Sequence, residues 1–325
     1  MMKKQEERKE VVMVPAPTVR NPAVEEFCGK NNLLIKDCST VRTSGGFSSG
    51  TFKDYRSIRL VNDFGAKDPV LYSIVYATAG YSLGNVAREY NRINGIAEGG
   101  GIDVVSVIDE ELNPKIKEVL KACSILVELP LRKRIFTRKE ILDAVKSEIK
   151  NDERDYVDAE NYTFSYTQLA EEIIGEGPDD VFMPLGGGEA LNSLLQSLVA
   201  LADSKVKLPR LYAATIRANV FVSETSPGTY SIAEKLVTPW SELAGRIKET
   251  LPRFGEVVVV EEDEIIATYH ALKKAGIKAE PSAAVAFAAA RKINCPEGSK
   301  VLIVNSGCGI YFNPDGILRG VSNGT

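Results

Sequence analysis

Short apolar runs alternate with longer amphipathic stretches along most of this 325-residue chain. The runs predict strands, and the stretches, in which apolar residues recur every three or four positions, predict helices. Strands that alternate with helices form parallel sheets, because each parallel connection needs a crossover long enough to hold a helix. The pattern therefore predicts an α/β fold of open, twisted, mostly parallel sheets with helices on both faces.

The predicted elements follow one another without an internal repeat. Strands are expected at 33–36, 73–78, 103–108, 124–129, 180–184, 210–216, 256–260 and 300–305. Helices are expected at 82–94, 113–122, 137–150, 165–174, 189–202, 261–275 and 282–292. Asn113 before Pro114, and Thr137 three residues before Glu140, are helix-capping patterns. The charged stretch at 150–160 is the predicted linker between two lobes.

The composition excludes several classes of function. The single histidine, His270, removes most Ser-His-Asp, Cys-His and multi-histidine zinc chemistry, and no other metal site is indicated. A net charge of −4 gives no broad attraction for nucleic acid or an anionic membrane, and no apolar run reaches the length of a membrane span. The five cysteines are scattered and form no C-x-x-C pair, which favours reduced thiols in a cytoplasmic protein. We therefore expect a small-molecule partner.

Two glycine-rich segments contain the candidate functional residues. Residues 43–56 are small and hydroxylated until they reach Lys53, and alone they are typical of a surface turn with a solvated lysine. Gly186, Gly187 and Gly188 lie between a predicted strand and a predicted helix, where backbone N–H groups and the helix dipole favour an anion such as phosphate. The lysine of a nucleoside-triphosphate loop is absent. A phosphate site, a lysine and almost no histidine together point to pyridoxal phosphate, whose aldehyde bonds to a lysine amine.

Five motifs in order then give a family resemblance. Residues 49–54 read S-G-T-F-K-D and resemble the T-G-S-F-K-D lysine motif of the fold-type-II pyridoxal-phosphate enzymes, closest to the threonine synthase branch. Four further segments match that family: T-A-G-Y-S at 78–82, G-G-G-E-A at 186–190, E-P-S-A-A at 280–284 and N-S-G-C-G at 305–309. The resemblance extends from about residue 33 to residue 312.

The resemblance implies a role for each matching residue. Lys53 would bond to the cofactor and act as the catalytic proton shuttle. The cofactor-binding residues would be Lys53, Tyr81, Gly186, Gly187, Gly188, Glu189, Ala190 and Ser306, with Ser306 at the pyridine nitrogen. The substrate-binding residues would be Thr78, Ala79, Gly80 and Ser82 around the carboxylate, together with Ser49 and Thr51. A neutral hydroxyl at the pyridine nitrogen favours elimination and replacement at Cβ or Cγ over transamination.

Three departures from the family pattern are visible. Tyr81 stands where the family has an asparagine that meets the phenolic oxygen of the cofactor; an alternative frame, S-L-G-N at 82–85, restores the asparagine but places it inside a helix. Glu189 brings a negative charge into the phosphate loop. The family's arginine directly follows the motif aspartate, whereas here Arg56 comes one position later. For a phosphate carried by the substrate, the candidate ligands are Ser48, Ser49, Thr51, Arg56 and Arg217.

The resemblance also implies an activity and an architecture. We expect a lyase of amino-acid biosynthesis that resembles threonine synthase and converts O-phosphohomoserine and water to threonine and phosphate. Cysteine-synthase-like replacement on O-phosphoserine or O-acetylserine, serine or threonine deamination, and a catalytically inert regulator remain open, while a nucleotide-binding oxidoreductase would leave the lysine motif unexplained. The larger domain is expected at 1–65 plus 161–325 and a smaller movable domain at 66–160, with the cofactor in the cleft between them. Relatives are commonly homodimers.

Overall fold

A computed structural model describes residues 8–75, 78–97, 100–131, 133–150, 153–162, 165–202, 206–223, 231–238 and 240–308. The chain divides into two compact units. Unit 1 comprises Met1–Val14, Arg42–Ser49 and Lys53–Tyr162, and unit 2 comprises Pro15–Val41, Gly50–Phe52 and Thr163–Thr325. The predicted boundary at residue 65 differs from this division, because residues 42–49 and 53–64 belong to unit 1.

Strands and helices alternate along both units. The strands are β1 (Met13–Val14), β2 (Thr18–Val19), β3 (Leu33–Asp37), β4 (Arg42–Thr43), β5 (Val70–Ile74), β6 (Asp103–Asp109), β7 (Ile125–Leu129), β8 (Tyr156–Asp158), β9 (Asp180–Pro184), β10 (Arg210–Thr215), β11 (Gly255–Val259) and β12 (Val301–Asn305). The helices are α1 (Pro22–Cys28), α2 (Lys53–Phe64), α3 (Thr78–Ile93), α4 (Pro114–Lys121), α5 (Arg138–Ile149), α6 (Thr167–Gly175), α7 (Glu189–Leu201), α8 (Ala244–Thr250), α9 (Glu262–Lys274) and α10 (Pro281–Lys292).

Unit 2 is built on a six-stranded sheet in the order β11-β10-β9-β12-β3-β2. Every neighbouring pair is parallel except β2 with β3. The central strands β9 and β12 are buried along their whole length, as expected for parallel strands covered on both faces. Helix α10 packs across β9, β10 and β12, and its buried, alanine-rich turns allow a close approach to the sheet. The carboxyl ends of β9 and β12 consequently lie side by side at one edge of this sheet.

Unit 1 is built on a four-stranded parallel sheet in the order β7-β6-β5-β8. Helices α2 and α3 pack against each other, and this contact joins α2 to unit 1. Strands β1 and β4 form a separate antiparallel pair. Both predicted caps are present: the Asn113 side chain accepts a bond from the N–H of Lys115, and Thr137 and Glu140 form a capping box. The α/β fold with parallel sheets and helices on both faces is therefore confirmed.

Most predicted strands and helices agree with the structure to within two residues, and the two that differ by more lie in unit 1. Strand β5 lies at Val70–Ile74, not at 73–78, and α3 already begins at Thr78, not at 82. The predicted linker at 150–160 contains β8, which pairs with β5 and so forms part of the sheet. Helices α1, α2 and α8 were not predicted; the lysine motif that opens α2 resembles a loop. No helix in the described part of the chain is long and apolar enough to cross a membrane.

Candidate active site

The glycine loop of unit 2 connects β9 to α7. Gly188 has φ +101°, a left-handed conformation that favours glycine, and a Cβ at this position would lie 2.5 Å from Cδ1 of Ile247. In the described part of the chain, the backbone N–H groups of residues 186–190 donate to no protein acceptor. Helix α7 also begins without a side-chain cap. The loop thus offers a group of free N–H donors at the positive end of a helix, which fits a phosphate.

Three polar side chains hold this loop by its carbonyl groups. The buried side chain of Asn219 donates to the carbonyls of Leu185 (3.1 Å) and Gly186 (3.3 Å). Thr215 donates to the carbonyl of Leu185 at 2.7 Å, and Ser241 donates to that of Gly187 at 2.6 Å. With the carbonyls engaged from outside, the N–H groups of the loop remain available. Sequence reasoning missed Asn219, Thr215 and Ser241, because they belong to later segments that carry no motif.

Glu189 is one of the three departures from the family pattern, and the sequence alone does not show where its side chain lies. Its carboxylate bends back toward the loop, with Oε1 2.8 Å from the position that a Cβ on Gly187 would take. It lies in the first turn of α7, where a negative charge interacts favourably with the helix dipole. In the described residues no cation pairs with it. The carboxylate therefore lies beside the anion site, but it accepts no hydrogen bond from the described N–H groups of the loop.

Ser306 and the start of the lysine motif meet at the same edge of the unit 2 sheet. Ser306 directly follows β12, and its carbonyl accepts a bond from the N–H of Phe52 at 2.9 Å. Thr51 forms a β-bridge with Gly307, and Gly307 must lack a side chain because a Cβ there would lie 2.7 Å from the carbonyl oxygen of Gly50. No described residue hydrogen-bonds to the Ser306 hydroxyl, which leaves it available for the predicted bond to a ring nitrogen.

Lys53 directly follows this segment and opens helix α2 of unit 1, where it is half-buried. It therefore does not lie in the flexible surface turn that is typical for such a segment. The next residue, Asp54, is fully buried; it accepts bonds from the N–H of Ser49 (2.8 Å) and from the hydroxyl of Ser82 (2.6 Å). These bonds tie the residues before Lys53 and the first turn of α3 to α2.

Burial raises the pKa of Asp54 from its ordinary value of 3.8 to about 6, although the bonds from Ser49 and Ser82 favour the ionised form. The folded protein therefore binds this proton more tightly than the unfolded chain, and stability falls as pH rises between about 4 and 6. In Asp54→Asn the amide can still accept from Ser49 and donate to Ser82, and it does not ionise. Since one pKa unit corresponds to about 1.4 kcal/mol, the variant should gain roughly 3 kcal/mol over the wild type across this window.

Urea unfolding of both proteins at about pH 4, 5, 6 and 7 measures this gain as a difference between their free energies of unfolding. Other titrating groups cancel in the difference. A difference that does not change with pH would show that Asp54 is ionised without penalty.

The remaining predicted substrate residues lie in the first turn of α3. Gly80 allows α3 to approach β6 closely, because a Cβ there would lie 2.5 Å from Oγ of Ser106. The backbone N–H groups of Thr78, Ala79 and Gly80 have no acceptor among the described residues. The Ser82 hydroxyl, by contrast, is used by Asp54 and Ser57. A substrate carboxylate at this turn would therefore meet backbone donors.

Tyr81, which stands where the family has an asparagine, lies in an aromatic environment. Tyr81 packs against Phe47, with ring centroids 5.7 Å apart, and is half-buried.

Arg217 is exposed and forms a bidentate pair with Glu261, so its charge is already neutralised. Arg56 is buried in α2. Of the two candidate arginines, only Arg56 is therefore still without a negatively charged partner among the described residues.

A lysine at the head of a helix, a loop of free N–H groups and an uncommitted serine hydroxyl are groups that a pyridoxal-phosphate enzyme would need. Residues 12–307 match the family described as "Pyridoxal-phosphate dependent enzyme", and the chain belongs to this family. The cofactor is accordingly pyridoxal 5′-phosphate. The glycine loop and Ser306 fit its phosphate and its ring nitrogen, because both offer the required hydrogen-bonding groups without partners of their own among the described residues.

Several solved structures share the fold. Maize serine racemase superposes with a TM-score of 0.70 at 17% identity, covering 96% of this chain and 92% of that chain. A threonine deaminase from T.th. gives 0.69 at 15% identity, with 93% and 95% covered. O-Ureido-L-serine synthase gives 0.68 at 18% identity, with 95% and 94% covered. No curated protein matches the sequence.

Proposed function

We propose that this protein is a pyridoxal-phosphate enzyme that acts on an amino acid with a leaving group at Cβ or Cγ, with threonine synthase activity as the first candidate. The observation that carries the proposal is the uncommitted hydroxyl of Ser306 at the carboxyl edge of the unit 2 sheet. A neutral hydroxyl leaves the ring nitrogen largely unprotonated, which suits elimination and replacement better than transamination. The lysine motif, which resembles threonine synthase, supports the choice of reaction.

In this proposal, each side chain has a physical task. The bound cofactor supplies an electron sink for the bonds at Cα of the amino acid. Lys53 holds the cofactor by its aldehyde carbon and, once released, moves the proton at Cα. The N–H groups of residues 186–190 bind the phosphate, and Ser306 orients the ring. The first turn of α3 binds the substrate carboxylate by its free N–H groups.

A second candidate is β-replacement or deamination of a serine or threonine derivative. The names of two proteins with this fold, a threonine deaminase and an O-ureido-L-serine synthase, support it. Tyr81 also supports an altered specificity, since a phenol is larger than the amide found at this position in the family and can still donate a hydrogen bond. Under this candidate the leaving group departs from Cβ. Replacement then adds a nucleophile at Cβ, whereas deamination consumes one water, which hydrolyses the imine left after elimination to a 2-oxo acid and ammonia.

The purified protein provides the test. We expect an absorption band from the lysine-bound cofactor that disappears on borohydride reduction, after which the cofactor should remain covalently attached at Lys53. O-Phosphohomoserine, O-phosphoserine, O-acetylserine and threonine should then be compared side by side, with product analysis for phosphate, 2-oxo acid and threonine. A colourless protein that does not take up pyridoxal phosphate would contradict the proposal. A coloured protein without turnover would support the inert regulator instead.

We further propose a homodimer, following the family resemblance. Sedimentation of the cofactor-loaded protein should give a particle of twice the chain mass. A monomer at micromolar concentration would contradict this part of the proposal.

A further inference from the structure

Arg56 is a buried cation for which the structure describes no partner. Its exposed fraction is 2%, and neither Nε nor Nη2 has a hydrogen-bond acceptor among the described residues. It forms no ion pair with any residue that the structure describes. An arginine keeps its charge at any physiological pH, and burying a charge without a partner is strongly unfavourable. An anion is therefore the expected complement of this side chain.

The orphaned atoms form the edge of the guanidinium that binds anions with two parallel bonds. The same edge of Arg217 donates from Nε and Nη2 to the two oxygens of Glu261, at 3.0 and 2.5 Å. The acidic residue closest in the chain to Arg56 is Asp54, which uses both oxygens elsewhere, one with Ser49 and one with Ser82. The bidentate edge of Arg56 is thus left for a carboxylate or phosphate from outside the chain.

Arg56 also lies on the same helix as the proposed catalytic lysine. Lys53 and Arg56 are three residues apart in α2, so their side chains leave neighbouring positions on one face. The α-carboxylate of an amino-acid substrate already has a proposed site at the free N–H groups of Thr78, Ala79 and Gly80. A second anionic group is needed to account for Arg56.

We propose that Arg56 binds a second anionic group of the substrate, a phosphate or a side-chain carboxylate, and thereby selects acidic amino acids over neutral ones. This inference rests on the proposed function, because it takes the substrate to be an amino acid that reacts next to Lys53. A phosphate and a carboxylate both present two acceptor oxygens, and their spacing matches the two N–H donors at the edge of the guanidinium.

Three variants test the role of Arg56. Arg56→Gln removes the charge and keeps a polar head, and Arg56→Met removes it without leaving a buried polar group. The matched control is Arg59→Gln on the same helix, because Arg59 is exposed and pairs with Asp63 at 2.7 Å. The cofactor-loaded proteins are titrated with O-phospho-L-serine, L-aspartate and L-serine, and binding is followed by the change in the cofactor absorption band.

We expect the wild type to bind O-phospho-L-serine or L-aspartate more tightly than L-serine. Both Arg56 variants should lose about 30- to 100-fold in affinity for that acidic ligand, while their affinity for L-serine changes less than about threefold. Arg59→Gln should behave as the wild type. The acidic ligand that responds identifies the second group as phosphate or carboxylate. Equal losses for acidic and neutral ligands would assign Arg56 to the α-carboxylate and overturn the proposal, as would no loss at all.

Inorganic phosphate gives a readout that needs no turnover. With the cofactor in place the glycine loop is filled, so phosphate should raise the melting temperature of the wild type and of Arg59→Gln but not of either Arg56 variant. If this difference is found but no amino acid reacts, the proposed function fails and the anion site stands. If amino acids react but phosphate has the same effect on all four proteins, the anion site fails and the proposed function stands.

Discussion

Lys53→Ala should abolish turnover of every amino acid while leaving the protein folded. The amine at this position has two tasks in the proposed reaction, bonding the cofactor and moving the proton at Cα, and alanine performs neither. Loss of a positioned proton-transfer group alone lowers rates by roughly 100- to 10,000-fold. The absorption band of the lysine-bound cofactor should be lost as well, and borohydride should no longer fix the cofactor to the chain. Absorption spectra and initial rates measure both effects.

The control for this variant is Lys67→Ala, which removes an exposed lysine a short distance further along unit 1. It should keep the band and the rate of the wild type. If Lys53→Ala retained the band and borohydride still attached the cofactor, another lysine would be the attachment site, and the roles derived from the lysine motif would be wrong.

Gly188→Ala should weaken cofactor binding at least about tenfold and lower the melting temperature. An alanine at φ +101° is strained by about 1–3 kcal/mol, and its Cβ would lie 2.5 Å from Cδ1 of Ile247 and 3.1 Å from Cζ of Phe221. Ile247 is completely buried and has little room to move. The loop must therefore shift, which displaces the N–H donors from the phosphate; about 1.4 kcal/mol of lost interaction already corresponds to tenfold in affinity. Titration of the cofactor-free protein with pyridoxal phosphate measures the change.

Gly245→Ala is the matched control, because it adds the same methyl group in α8 with no heavy atom within 4 Å. It should bind the cofactor as the wild type does and be no less stable, since alanine favours helices over glycine. Wild-type affinity in Gly188→Ala would mean that the cofactor phosphate is held elsewhere.

The sequence predicted those parts of the fold and the site that local chemistry dictates. After its first residue, Asp180, strand β9 is apolar because parallel strands are buried on both faces, so a run of buried residues is already visible in the chain. Gly186, Gly187 and Gly188 could be identified together as an anion site because they lie between a predicted strand and a predicted helix, whereas the left-handed backbone of Gly188 is visible only in the structure. The cofactor followed from a resemblance of short motifs, and the family match agrees with it.

Other parts of the site could not be predicted, because their function depends on residues distant in the chain. Asn219 has no motif around it, and its side chain reaches the carbonyls of the glycine loop because the pairing of β10 with β9 brings the two segments together. Helix α3 begins at Thr78, and its Gly80 lies so close to Ser106 of β6 that a Cβ there would be 2.5 Å from the Ser106 hydroxyl, a contact that no local pattern reveals. The domain boundary at residue 65 likewise ignored the packing of α2 against α3.

By itself, the amino-acid sequence determined the fold class, the cofactor and the residues proposed to hold it, because each of these follows from periodicity or from a short contiguous motif. Only the tertiary structure decided which polar groups are engaged and which are free. Arg56 and Arg217 were equal candidates for an anion in the sequence, but Glu261 neutralises Arg217 at the surface, and α2 buries Arg56 without a partner among the described residues. Burial and pairing are properties of neighbours in space, and these are brought together only by the packing of the folded chain.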